Sequence, residues 1–342
     1  MNPQLRYCIE SSEVTQVSKQ QLAIGWTGFI GIFLLIIDTK TAFSSAAEGV
    51  ALCIQTLLPS LLPFFVFSAF ITQAFTGSTV PLLRPIARLF HIPPGGESLL
   101  VSAFLGGYPV GAQSVAAAYS SGSVSRGEAE RLLAYCSNAG PSFLFGITAA
   151  MFSDSRFPWL LWGIHIISAW MVSRFFPPKE KAVMCSRPCH ISFTAMMSGA
   201  VKAMASVCGW VILFKIILGF FEKWFLWLLP EEMQVIFTGF LELANGCCSL
   251  YLIEDLQLRF IICSGMLAFG GLCVAMQTIS VIKELSVKNY LCGKLLHMIF
   301  CVFLSALLYR NWKLVIPLML PIFISIRYLV KKSSSNLRKA IV

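Results

Sequence analysis

Charge is scarce in this chain. Only 12% of its 342 residues are Asp, Glu, Lys or Arg, against 57% hydrophobic, whereas a soluble domain carries roughly 25% charged residues. With a mean hydropathy of +0.76, the composition excludes a soluble globular protein of this length. Catalytic signatures are missing as well: there is no GxSxG, no HExxH, no Walker loop and no dinucleotide fingerprint. The four histidines, His91, His165, His190 and His297, are dispersed and read as interfacial or packing residues, so no enzyme is expected. The first twenty residues are polar and hold Glu10, Glu13 and Lys19, without the basic start and small-residue cleavage site of a secretory signal. Paired cysteine spacings are lacking too. Most of the twelve cysteines lie in apolar stretches, among them Cys53, Cys136, Cys208, Cys263, Cys273 and Cys301, where a free thiol acts as a small hydrophobe. Cys185, Cys189 and His190 offer three ligands in one loop, but no second ligand pair matches them. Neither a metal nor a cofactor is expected.

Long apolar runs are what the chain does have. Leu22–Ile37, Trp159–Phe176, Ala200–Phe221, Tyr290–Leu308 and Trp312–Val330 each approach the length that about 30 Å of hydrocarbon requires. Less regular apolar stretches cover 48–75, 98–119, 131–151, 234–252 and 260–282. Eight to ten membrane segments are expected, some of them re-entrant or broken, in an all-α polytopic protein. Leu22–Ile37 reads as a retained first span.

The net charge of +10 comes from Lys and Arg gathered in a few connections and at the C-terminus. That placement suits topology and anionic headgroups and gives little support to nucleic acid. It also divides the chain: a polar tail at 1–21, a first half at 22–176, a basic connection at 177–193, a second half at 194–330 and a basic tail at 331–342. Positive-inside counting favours cytoplasmic placement of the N-terminus, the 174–190 connection, the Lys283/Lys288/Lys294 region and the Lys331/Lys332/Arg338/Lys339 tail. An inverted-repeat scheme fits the halves better but puts several lysines outside.

Two copies of one short pattern link the halves. Gly106-Gly107-Tyr108-Pro109-Val110-Gly111-Ala112-Gln113-Ser114 and Gly270-Gly271-Leu272-Cys273-Val274-Ala275-Met276-Gln277-Thr278 stand 164 residues apart. Glycine pairs loosen a helix, and Gln and Ser/Thr place hydrogen-bonding groups where lipid offers none. Interrupted segments at matching positions of two repeats point to a midplane transport site, although small residues also serve close helix packing. Gln113 and Gln277 could hold two ends of one ligand, with Ser114 and Thr278 as hydroxyl partners. Asn138 precedes a Gly140-Pro141 break, where a helix restarting at Pro141 exposes N–H groups; the same break could be a plain proline kink. Glu242 and Asn245 are three apart in an apolar setting, where a carboxylate lines a cavity, couples to protons or pairs with Lys202 or Lys215. Lys215 could offset an anionic solute or snorkel to the surface. Pro59 and Pro63 make a continuous straight helix unlikely over 55–65 and suggest a hairpin tip or sharp kink. Arg84 and Arg88 share one face of an interfacial helix.

Five ordered motifs, LLPSLLPFFVFS at 57–68, GGYPVGAQ at 106–113, GEAERLLAYCSNAGPSFLFG at 127–146, GFLELANG at 239–246 and GGLCVAMQ at 270–277, together resemble the sporulation integral membrane protein YlbJ family. That family carries a nucleoside-recognition (Gate) domain related to concentrative nucleoside transporters. The resemblance implies movement of dipicolinate, a small aromatic dicarboxylate, across a forespore membrane of an endospore-forming bacterium. It leaves a nucleoside as another solute, and a non-transporting scaffold for spore-envelope partners as another role. A homo-oligomer is compatible with all three. Cys273 stands where the first copy has Pro109, and the second copy has no equivalent of 137–141.

Overall fold

The computed structural model describes residues 18–178, 183–184, 192–311 and 313, all of them helical or in turns and loops. The expected span Trp312–Val330, the basic C-terminal tail and the Cys185/Cys189/His190 loop lie outside the described residues. So does most of the N-terminal tail. Two compact units divide the chain, residues 1–44 and 45–342.

In the first unit α1, Lys19–Ile37, starts at a capping box in which the Ser18 hydroxyl accepts the Gln21 N–H and the Gln21 side chain accepts that of Ser18. None of its residues is buried within the unit, and Ile24, Phe29 and Phe33 are exposed. A helix apolar all round and open to its surroundings is built for lipid.

The second unit begins within α2, Thr39–Leu52, which runs through a wide turn at Cys53–Leu57 into α3, Leu58–Phe75. Proline nitrogens at 59 and 63 cannot donate to the preceding turn. The backbone answers by widening, with the Leu58 N–H reaching the Cys53 carbonyl. No hairpin tip forms here: 39–75 stays one helical segment of 37 residues, so the expected interruption is a local change of pitch. The expected amphipathic helix is short, α4 at Arg84–Leu89, with Arg84 paired to the buried Glu97 at 3.2 Å.

After α4 the chain makes a helical hairpin. Its first arm is α5, Ser98–Val101, continued to Gly106, and its second is α6, Val110–Ser120. A Cβ on Gly111 would stand 3.0 Å from the Ala103 Cα, so the arms meet backbone to backbone. A broken helix follows: α7, Arg126–Leu133, then an unwound stretch to Gly140, then α8, Pro141–Gly146. Next come α9, Arg156–Phe175, and α10, Phe193–Trp224.

The same order then recurs. A second hairpin joins α11, Glu231–Leu241, to α12, Leu243–Cys248, turning at Glu242; a Cβ on Gly246 would meet the Gly239 Cα at 2.2 Å. A second broken helix joins α13, Leu256–Phe269, to α14, Gly271–Ile282, across Gly270. α15, Lys288–Leu308, closes the described part.

This order corrects the repeat read from the glycine motifs. GGYPVGAQ forms a hairpin turn, whereas GGLCVAMQ forms a helix break. In form, turn 107 matches turn 242 and break 138 matches break 270, offsets of 135 and 132 residues. The glycine motifs aligned because both sharp features need residues with positive φ, and only glycine takes these freely: Gly107 at 78°, Gly270 at 87° and Gly271 at 78°.

Around this centre α3 packs on α10, and α13 and α9 on α15. Five helical segments are long and apolar enough to cross a membrane: Lys19–Ile37, Thr39–Phe75, Phe193–Trp224, Leu256–Ile282 and Lys288–Leu308.

Candidate functional site

Both hairpin turns rest on helix breaks. A Cβ on Gly107, at the first turn, would meet the Gly140 nitrogen at 2.9 Å. One on Gly271, at the second break, would meet the Gly239 carbonyl at 2.8 Å and the Phe240 carbonyl at 3.2 Å, at the second turn. The two assemblies join through Tyr108, whose hydroxyl donates to the Leu267 carbonyl at 3.1 Å and whose ring lies 3.7 Å from the Cβ position of Gly270. Breaking a helix frees carbonyls at one end and N–H groups at the other. Bringing two breaks and two turns together therefore concentrates polar backbone inside an apolar protein, which membranes tolerate only within protein or along a cavity.

The side chains in this centre are polar and buried. Asn138 donates through Nδ2 to the Tyr135 carbonyl at 2.7 Å, bonding freed backbone as a kink residue would. Its Oδ1, together with the hydroxyls of Ser137 and Ser142, has no hydrogen-bond partner among the described residues. Pro141 begins α8 after Gly140, as the sequence suggested. The Ala139 N–H donates to His165 Nε2 at 3.1 Å, and His297 Nε2 donates to the His165 carbonyl at 3.0 Å. The two rings lie with centroids 4.4 Å apart.

α15 presents a polar stripe to this centre. Tyr290, Lys294, His297 and Cys301 are all buried at spacings of three and four, one face of a helix. Lys294 donates to the Ala268 carbonyl, freed at the end of α13, at 3.3 Å. Its Nζ lies 5.2 Å from the Tyr108 ring centroid, within cation–π range when the group is charged. Thr278 and Tyr290 present their hydroxyls to each other, yet neither completes a hydrogen bond.

The remaining candidates fall in three places. Gln277 is buried and donates to Cys273 Sγ at 3.3 Å, whereas Gln113 is exposed and Ser114 half-buried on α6. α6 and α14 pack on each other, but the two amides do not occupy equivalent settings. Gly106 packs against Ser68, whose Oγ would be 2.9 Å from an added Cβ. Glu242 and Asn245 do not share a helix face: Glu242 is the turn residue, and its carboxylate caps α12 by accepting the Asn245 N–H and Nδ2, both at 2.7 Å. Lys215 pairs with Glu48 at 3.1 Å and Glu222 at 3.3 Å.

Sequence reading missed Lys294 and the His165/His297 pair. The histidines are 132 residues apart, and nothing local announces their meeting. For Lys294 a signal existed, a lysine well inside an apolar run. The ligand-capable atoms of His165, His297 and Cys301 lie within 4.8 Å of one another. With His165 Nε2 taken by the Ala139 N–H, the trio as it stands is arranged for polar packing rather than for a cation.

A pocket of 510 Å³ opens where α6 and α14 both end, lined by Tyr119, Ser120, Ser121, Ile282, Lys283 and Glu284. The two helices thus run side by side from the polar centre to this pocket.

Hairpins and broken helices meeting at a buried polar centre, among long apolar helices, define an all-α, multi-pass integral membrane protein. The chain is similar to sporulation integral membrane protein YlbJ of Bacillus subtilis (strain 168), with 25% identity over 328 aligned positions covering 81% of this chain and 79% of the relative. This similarity agrees with the resemblance to the YlbJ family carried by the five sequence motifs. No family model matches the chain, and no solved structure gives a significant match.

Proposed function

We propose that this protein carries a small polar or anionic solute across a membrane of a sporulating cell, with dipicolinate as the solute that the family resemblance suggests. One observation carries the reading: two hairpin turns and two helix breaks converge on buried polar groups that lack partners among the described residues, Asn138 Oδ1, Ser137 and Ser142. Each unpaired group in such a setting costs about 1–3 kcal/mol. A protein built only for assembly gains nothing from gathering them in its interior, whereas a solute supplies the missing partners.

The groups suit an aromatic acid. Amide, hydroxyl and imidazole can meet carboxylate oxygens, Tyr108 offers a ring face, and Lys294 brings positive charge. Gln277 and Asn138 are the amides placed to orient it. Gly106, Gly107, Gly270 and Gly271 shape the backbone around it rather than touch it through side chains.

The test is uptake of labelled dipicolinate into proteoliposomes holding the purified chain, beside empty liposomes and an Asn138→Ala variant. Saturable uptake that the variant loses is expected. Folded protein that moves neither dipicolinate nor a nucleoside would favour a scaffold for spore-envelope partners.

A further inference from the structure

Lys294 is 2% exposed and has no acidic partner among the described residues. Each salt bridge among the described residues involves another cation. The titratable groups facing it are Tyr290, His297 and Cys301 on its own helix, His165 on α9 and Tyr108 at the first hairpin turn. From α7, Glu128 and Arg131 are locked to each other. From α13 come Cys263 and the Ala268 carbonyl, while Arg259 at its far end binds carbonyls of Met151 and Ile253. Among the described residues no carboxylate pairs with it to balance an ammonium. The Ala268 carbonyl engages one of three N–H donors and supplies no charge.

We propose that Lys294 couples the solute to a proton, so that anion and H⁺ cross together. This rests on the transport reading above. An ammonium buried among apolar and neutral groups is costly, and a solute carboxylate at Nζ removes that cost by pairing. In the loaded carrier the site therefore holds Lys294 as an ammonium beside the carboxylate. In the empty carrier the favoured form is the neutral amine, its proton having left to the water on the side where the solute was released. The empty site reorients in that form and takes up a proton with the next anion, one proton for each solute molecule. The position of Lys294, between the first hairpin turn and the second helix break, puts this charge where the two hairpin-and-break assemblies meet.

Arginine separates coupling from binding, because a guanidinium keeps its charge at any working pH. In proteoliposomes with labelled dipicolinate, wild-type net uptake should accelerate under an inward proton gradient, and the external medium should become more alkaline as solute enters. Lys294→Arg should retain exchange of internal for external dipicolinate but lose net uptake, since its empty form cannot shed the proton. Lys294→Met should lose dipicolinate flux in both modes by about a hundredfold, the scale of a missing buried counter-charge. Wild-type uptake that ignores the gradient and moves no protons overturns the coupling while leaving transport standing, whatever the variants do. Equal net uptake by Lys294→Arg overturns it too. Wild-type protein without flux in either mode overturns the transport reading and this inference together.

Discussion

Gly293 of α15 lies against the carbonyl of Ala134, so close that a Cβ would come within 2.0 Å of the oxygen. This approach seats the polar stripe of α15 on the unwound stretch between α7 and α8. Gly293→Ala must push the two apart. The expected loss is about 1–3 kcal/mol, the scale of overpacking, read as a lower thermal midpoint in detergent. Gly127→Ala, with open space at its Cβ position, is the control and should leave the midpoint unchanged or raise it slightly.

Arg131 and Glu128 form a buried pair in which the guanidinium also reaches Tyr135 Oη and the carbonyls of His91 and Phe176. Arg131→Met strands the carboxylate, and about 3–5 kcal/mol of stability should go with it. Adding Glu128→Leu should recover part of that loss. A double variant no better than the single one would place the cost in the lost carbonyl contacts instead.

Glu130 ties α7 to the loop before α15. Its carboxylate accepts from Arg126 Nε and from the Ser286 N–H, both at 2.9 Å. Burial pushes its pKa up, but those hydrogen bonds and the Arg126 charge outweigh burial and hold it below the ordinary 4.5. A depressed carboxylate contributes stability that is fully present above its unfolded value and fades as pH falls through the folded one. Thermal midpoints should therefore decline below about pH 4.5 more steeply in wild type than in Glu130→Gln, whose midpoint at pH 7 should already be lower.

Glu242 caps α12 from the second hairpin turn. A capping role needs an acceptor oxygen and no titration, so Glu242→Gln should keep stability and solute uptake within about twofold of wild type. Glu242→Ala should cost about 1–2 kcal/mol. Uptake lost in Glu242→Gln with stability intact would make this carboxylate a carrier of protons and move the coupling away from Lys294.

Much of the architecture was readable from composition and local chemistry. Apolar length marked α1, α10 and α15, and the Asn138-Ala139-Gly140-Pro141 run marked a helix break because proline and glycine each forbid a smooth continuation there. What the residues could not reveal was which sharp features match. A hairpin turn at Gly107 and a break at Gly270 demand the same backbone freedom, so their sequences converge although their folds differ. Glu242 misled for a related reason: three-residue spacing implies a shared helix face only where the helix is unbroken. His165 and His297 became a pair only through packing of α9 on α15, a relation with no local signature. Lys294 reads in the sequence with Lys283 and Lys288 as a lysine that sets topology, while Lys215 reads as the buried charge, although its partners Glu48 and Glu222 make it the ordinary case.

The central claim is that the convergence of turns and breaks binds the solute, and equilibrium binding of labelled dipicolinate to the detergent-purified chain addresses it without any need for flux. Wild type should bind saturably, and Asn138→Ala should bind at least about tenfold more weakly, a loss of about 1.4 kcal/mol, with its thermal midpoint little changed. Equal binding by the two proteins, or none by folded wild type, would contradict the account.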